Sequence, residues 1–276
     1  MTNIIPASSI ARQLWCEMQV DLRRKYGDVR TPEMERGSEI HENLLLEISE
    51  IIPVRVKTHA DRLHAIVHNI LVGVEQYRKI GITRELPVLF KFGPVFIFGF
   101  IDEIVKVEGK RTQIVEIKTR MTKRRPSPSQ VYCDKMQGMI YWYGLSSMIN
   151  GDIGVGEICS AFGVDPDRIY ISEEYATSLR VPSAFLEGKF ITDIRTALKK
   201  ISKLPKLSSE VELRYIHQRT GEEVYGEKYG FDLEFFNRKM EWALDYWLGK
   251  REPVPVKKNR WKCKLCSYSN TCPAIR

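Results

Sequence analysis

No stretch of this 276-residue chain approaches the ~20 consecutive apolar residues that a membrane span requires. Residues 1–10 lack a basic segment followed by an apolar one, so no secretory leader is read there. The expectation is an intracellular protein with no membrane partner, in cytoplasm or nucleoid, or in the nucleus or mitochondrion of a eukaryote. Cysteine is sparse, six residues in all. In a reducing compartment such a set points to metal binding or catalysis rather than disulfides. No internal repeat is found. Residues 221–228, Gly-Glu-Glu-Val-Tyr-Gly-Glu-Lys, imitate a phosphate loop, but Glu227 stands where its lysine belongs, and no nucleotide site is read there.

What is present describes a globular chain, 43% hydrophobic and 28% charged. Lys and Arg number 43 against 35 Asp and Glu, a formal +8. That excess suits a polyanionic partner, because phosphate neutralisation supplies most non-specific nucleic-acid affinity. Plain solubility charge would explain it equally well.

Periodicity and punctuation predict a helix from Ser8 or Ser9 to about Tyr26, stopped by Gly27, and two more over 32–50 and 57–80. The texture then changes to β-type: Pro87 to Val107, a Glu108-Gly109-Lys110 turn, and Thr112 to Lys118. Thr119 to Gln130 reads as a basic loop before a helix over 130–149. Beyond it come a helix over 184–202, strands over 210–217 and 222–229, and a helix over 231–249. The order implies an α/β or α+β architecture, a small mixed sheet flanked by helices with helical additions. One domain over 1–276 is expected, with core motifs in 37–143 and an additional region over 157–230.

Side chains alternate along a strand, so Glu116 and Lys118 share a face while Ile117 points away. If residues 108–110 form a three-residue loop, Val107 pairs with Arg111 and Asp102 lies opposite Glu116, so that two carboxylates and a lysine converge. That register depends on the loop length. Such a set suits metal-assisted phosphodiester hydrolysis: the carboxylates hold Mg²⁺, and the lysine orients or deprotonates the nucleophile. A solvated edge strand with alternating charges is the plainer reading of Glu-x-Lys alone. Gly37 and His41 share a helical face, as do Gln137 and Tyr141. A surface histidine and an ordinary core stripe through Tyr141 and Trp142 are the alternatives there.

The order Gly37-x-x-x-His41, Gly99-x-x-Asp102, Glu116-x-Lys118, Gln137-x-x-x-Tyr141 resembles the RecB-like branch of the PD-(D/E)XK nucleases, with their restriction-endonuclease-like core. The resemblance implies His41, Asp102, Glu116 and the main-chain carbonyl of Ile117 as ligands of Mg²⁺ or Mn²⁺. It implies Lys118 as the catalytic lysine, with Gln137 and Tyr141 positioning the site and the DNA.

Cys263-x2-Cys266-x5-Cys272 is a compact cluster in a basic tail, and such spacing argues for metal. Cys16 is the candidate fourth ligand. Spacing alone leaves zinc and iron–sulfur both open. One cysteine before the nuclease motifs and three after them is similar to the iron–sulfur nucleases: exonuclease V, the CRISPR-associated exonuclease and the AddB nuclease domain. That implies a [4Fe–4S] cluster on Cys16, Cys263, Cys266 and Cys272, closing the fold from 16 to 263–272. Cys133 and Cys159 fall outside the pattern and read as buried free thiols.

Length and the position of Cys16 fit the exonuclease V family best. This resemblance implies a single-strand-specific DNA exonuclease in repair or replication, a monomer, with a single-strand-binding protein as a candidate partner. Arg120, Lys123, Arg124 and Arg125, with Lys118 and Tyr132, suit a backbone track beside an aromatic platform for unpaired bases. Lys257, Lys258, Arg260 and Lys262 form a candidate second phosphate track. The competing readings are a CRISPR spacer-acquisition nuclease and a non-catalytic, zinc-containing nucleic-acid-binding module.

Overall fold

The structure, a computed structural model, describes residues 4–256 and 258–275; Lys257 lies outside them. Six strands form one mixed sheet: β1 (Ile4–Pro6), β2 (Ile82–Phe92), β3 (Val95–Val107), β4 (Arg111–Arg120), β5 (Leu207–His217) and β6 (Glu223–Gly230). Around it pack α1 (Ala7–Tyr26), α2 (Pro32–Leu46), α3 (His59–Ile80), α4 (Pro128–Asn150), α5 (Val155–Phe162), α6 (Glu173–Leu179), α7 (Ser183–Ile201) and α8 (Leu233–Trp247). A mixed sheet flanked by helices is the expected class. Among the described residues, no helix is long and apolar enough to cross a membrane.

Local chemistry sets several of these limits. Thr58 and Asp61 form a reciprocal capping box at the start of α3, and Gly81 ends that helix in the left-handed conformation. Ser127 and Gln130 do the same for α4, with Pro128 in its first turn, so the helix begins just before the expected position. Asp232 caps α8 through the Phe235 amide. The apolar run from Pro87 to Val107 is not one strand. Gly93, at φ +57°, turns the chain so that β2 and β3 pair antiparallel along their length. Both strands are buried, and continuous hydrophobicity hides a hairpin of this kind. The core lies between the sheet and α3, α4 and α7, where Leu63, Val74, Phe90, Ile97, Ile140 and Phe190 are essentially inaccessible. Each such side chain contributes about 1.5–3 kcal/mol of burial.

Two features position the site. The β3–β4 ladder runs from Val107↔Arg111 to Glu103↔Val115 and stops there, while the same edge of β3 is taken by β1 at Phe96–Phe98. β4 continues to Arg120 paired only with β5. Between those partners the strands fork, and Asp102 and Glu116 stand at the opening. The second feature is α2, which buries no residue. Gln218 Nε2 donates to the Glu33 carbonyl at one end of α2, and Arg84 reaches the Leu44 carbonyl and Glu47 at the other. Polar contacts thus hold this helix across the mouth of the fork.

Candidate active site

At the fork, the Ile117 amide, released from the β3 ladder, donates to Asp102 Oδ2 at 2.7 Å. Asp102 is thereby fixed beside Glu116. The Glu116 side chain is wholly buried and ion-paired with Lys118, and no donor other than that ammonium reaches its oxygens. Burial pushes the Glu116 carboxyl well above the usual range, Asp102 adds to this, and Lys118 opposes it. Burial alone would lower the Lys118 pKa, but Glu116, Asp134 and Asp102 outweigh it and hold the ammonium protonated. Lys118 Nζ donates to Gln137 Oε1 at 3.1 Å, and Gln137 Nε2 donates to the Tyr141 hydroxyl at 3.2 Å. Gln137 and Tyr141 lie one turn apart on α4, so a single helix face carries the chain of contacts from lysine to phenol.

His41 comes from α2. Its Nδ1 lies 3.5 Å from Glu85 Oε1 and 3.7 Å from Asp102 Oδ1. Burial lowers its pKa, but Glu85 and Asp102 raise it more, and the net shift is upward. One ligand atom from each of His41, Glu85 and Asp102 falls within 4.8 Å of the others. Oxygen donors with one imidazole, beside a buried carboxylate whose sole partner is one ammonium, fit a hard divalent cation such as Mg²⁺ or Mn²⁺.

Two residues absent from the motif reading stand in the site. Glu85 is one. Asp134 is the other: Tyr215 donates to it at 2.5 Å, burial raises its pKa, and Lys118 lowers it. Asp134 was accessible in principle, because it precedes Gln137 by three positions on the same helix face.

A groove of about 1130 Å³ opens over these groups, lined by Arg12, Arg23, Arg30, His41, Lys118 and Arg120 among others. Of the candidate DNA contacts, Arg120 faces the groove and bonds Gln130 at 3.3 Å. Lys123, Arg124, Arg125 and Tyr132 are not among its lining residues. Lys123 pairs with Glu222 at 2.5 Å, Arg125 stacks on Tyr225, and Tyr132 packs edge-on against Phe235. Trp142 stacks on Phe231 at 4.2 Å, a packing role.

The tail docks along α1. Lys262, from the tail's 3₁₀ turn, is buried with its ammonium over Trp15, and so belongs to packing rather than to a phosphate track. The Tyr268 hydroxyl donates to the Gly27 carbonyl at 2.6 Å, and Cys272 packs with Leu22 and Tyr268. Cys16 breaks the helix with φ −164° and ψ 111°. Burial raises its thiol pKa, while the main-chain amides of Gln19 and Val256 donate to the sulfur and oppose this; Cys266 and Cys263 are close enough to add to the rise. No three of these cysteine sulfurs fall within 4.8 Å of one another among the described residues. Cys133 and Cys159 are buried, and burial pushes the Cys133 thiol up to about 12.

Over residues 3–111, 105–187 and 183–273 the sequence matches the family described as exonuclease V, a 5′ deoxyribonuclease. Exonuclease V of Danio rerio is 27% identical over 268 residues, covering 94% of this chain and 67% of that protein. The crystal structure of SSO0001 aligns with a TM-score of 0.43 at 18% identity, over 100% of this chain and 88% of that one, too loosely to define a shared fold. The match to the family spans nearly the whole sequence: this chain belongs to the exonuclease V family and is a deoxyribonuclease.

Proposed function

We propose that the whole chain works as one exonuclease unit that hydrolyses single-stranded DNA, with Mg²⁺ or Mn²⁺ held by His41, Asp102, Glu116 and the Ile117 carbonyl. The observation that carries this is the fork: it gathers a histidine, two carboxylates and an ammonium at one opening, beneath a groove edged with arginines. When bound, the cation acidifies a water and stabilises charge on the scissile phosphate. The chain's own groups do the rest. Lys118, kept as an ammonium, donates to the attacking oxygen or to a phosphate oxygen, and Gln137 and Tyr141 hold it at that position. Arg12, Arg23 and Arg120 neutralise the strand's phosphates in the groove. The placement of α2 over the groove is read here as favouring an unpaired strand, and the family's description as a 5′ deoxyribonuclease supports action from a 5′ end.

On this reading the protein acts inside the cell as a monomer on repair or replication intermediates, with a single-strand-binding protein as its candidate partner. The four cysteines Cys16, Cys263, Cys266 and Cys272 hold a [4Fe–4S] cluster in this proposal. Its support is the helix break at Cys16 and the proximity of Cys263 and Cys266 to that sulfur.

The test uses single strands labelled at either end, with each end blocked in turn, and duplex controls. Wild-type protein in Mg²⁺ or Mn²⁺ should degrade single strands with a free 5′ end, and EDTA should stop it. Asp102→Ala and Lys118→Ala should abolish cleavage with the fold retained by circular dichroism. Undiminished cleavage in both variants would place the active site elsewhere.

A further inference from the structure

We propose that Glu85 is a ligand of the divalent cation, joining His41 and Asp102; this rests on the metal-dependent reading above. The β2–β3 register pairs Arg84 with Glu103 and Leu86 with Ile101, and skips the residue between them. That residue, Glu85, lies opposite Asp102 and has φ +52°. Glutamate rarely adopts this left-handed conformation, and such backbone persists where surrounding contacts impose it. Here they do. Arg84 is locked by Glu103 at 2.8 Å and by Glu47 at 2.7 Å, and Leu86 is buried in the core. The chain between these two anchors turns the Glu85 carboxylate toward His41 and Asp102.

A second observation points to a cation independently. Glu116, beside Asp102, is wholly buried, with the Lys118 ammonium as the sole partner of its carboxylate. Asp102, Glu116 and Asp134 thus converge on the surroundings of one ammonium, with Glu85 beside Asp102 and His41. A buried excess of carboxylates is costly unless a cation offsets it. Oxygen donors from Glu85 and Asp102 with the imidazole of His41, none further than 4.8 Å from another, leave room for one ion between them.

The plainer role for Glu85 is to accept a hydrogen bond from His41 and orient its ring. The two roles differ in what a neutral substitute does. If Glu85 acts only through His41, Glu85→Gln leaves the imidazole easier to deprotonate, and metal affinity is unchanged or tighter at neutral pH. If it is a ligand, affinity falls at every pH.

The experiment measures Mn²⁺ binding by electron paramagnetic resonance of free Mn²⁺ at pH 7 and 8.5, with melting in EDTA as the fold control. Glu85→Gln and Glu85→Gly are compared with wild type and Asp102→Asn. Glycine adopts φ +52° without strain, so Glu85→Gly should melt in EDTA at or above the wild-type temperature. Both Glu85 variants should bind Mn²⁺ ~10- to 100-fold more weakly at both pH values; Glu85→Gln decides between the roles, because its amide oxygen can still accept from His41, whereas Glu85→Gly would lose even an outer-shell contact of that worth. Unchanged affinity, or tighter binding in Glu85→Gln, overturns the assignment while leaving the metal-dependent reading intact if Asp102→Asn still loses the ion. A wild-type protein that binds no Mn²⁺ overturns both.

Discussion

At the scale of single residues, the motif glycines matter for what a side chain would displace. A Cβ on Gly99 would stand 2.8 Å from Tyr141 Cε1 and 3.1 Å from both the Tyr141 hydroxyl and Ala7 Cβ. A Cβ on Gly37 would stand 2.9 Å from Thr119 Oγ1, where α2 approaches β4. Tyr141 has little room to yield, because it is buried and its hydroxyl holds Gln137 against Lys118. Gly99→Ala is therefore expected to destabilise by about 1–3 kcal/mol through overpacking. It should also slow cleavage by displacing the contacts to Lys118. Urea denaturation and the single-strand cleavage rate check the two parts; a variant of unchanged stability would show that Tyr141 moves freely. These glycines, and the carboxylates they flank, were legible because their spacing is local. Glu85 was not, since one left-handed residue within a strand leaves no periodic trace and glutamate is no turn former.

At the scale of elements, long helices were easy to place: α3, α4 and α8, which carry side-chain caps, and α7, which has none but runs for 19 residues, lie within a few residues of their expected limits. The three-residue β1 and the short α5 and α6 were not read, because three to eight residues give too few periods to distinguish a face. The docking of the tail on α1 also escaped, apart from its cysteines. Glu17, buried on α1, accepts from Arg251 Nη1 and Nη2 at 2.6 and 2.7 Å and from the Val254 amide at 2.7 Å. Arg251→Ala leaves that carboxylate buried without its cation and should cost about 3 kcal/mol, since breaking one side of a buried pair is expensive. Denaturation of apo protein measures this; a cost within experimental error would mean that water replaces the guanidinium. Cys16→Ser acts on the same junction by another route. On the cluster reading, metal binding there would become part of the folding free energy, because it would join segments distant in sequence. Anaerobically purified wild type should be brown with broad visible absorbance, and Cys16→Ser colourless and less stable. A colourless wild type with stoichiometric zinc would replace the cluster by an ion.

At the scale of the whole molecule, the net charge of +8 is not spread evenly over what the strand can reach. Lys123 and Arg125 are engaged with Glu222 and Tyr225 beside β6, whereas Arg12, Arg23, Arg30 and Arg120 border the groove. A smaller cavity of about 360 Å³ shares Arg12, Arg23, Lys118 and Arg120 with that groove and continues toward Ser267 and Tyr268, so α1 and the tail form one wall of it. The sequence could mark the basic loop after β4, but only the packing of α1 across the fork brings Arg12 beside Lys118. Affinity for a polyanion records which cations meet phosphate. Each phosphate contact on a single strand adds about 0.7 to the slope of log affinity against log salt. Arg12→Ala and Arg120→Ala should each flatten that slope by about 0.7 and weaken binding similarly for all sequences, while Lys123→Ala leaves it unchanged. Anisotropy of a labelled single strand in EDTA, titrated with NaCl, gives the slope without cleavage. The opposite pattern would shift the strand to the β6 side, leaving the arginines of α1 to hold the tail rather than the substrate.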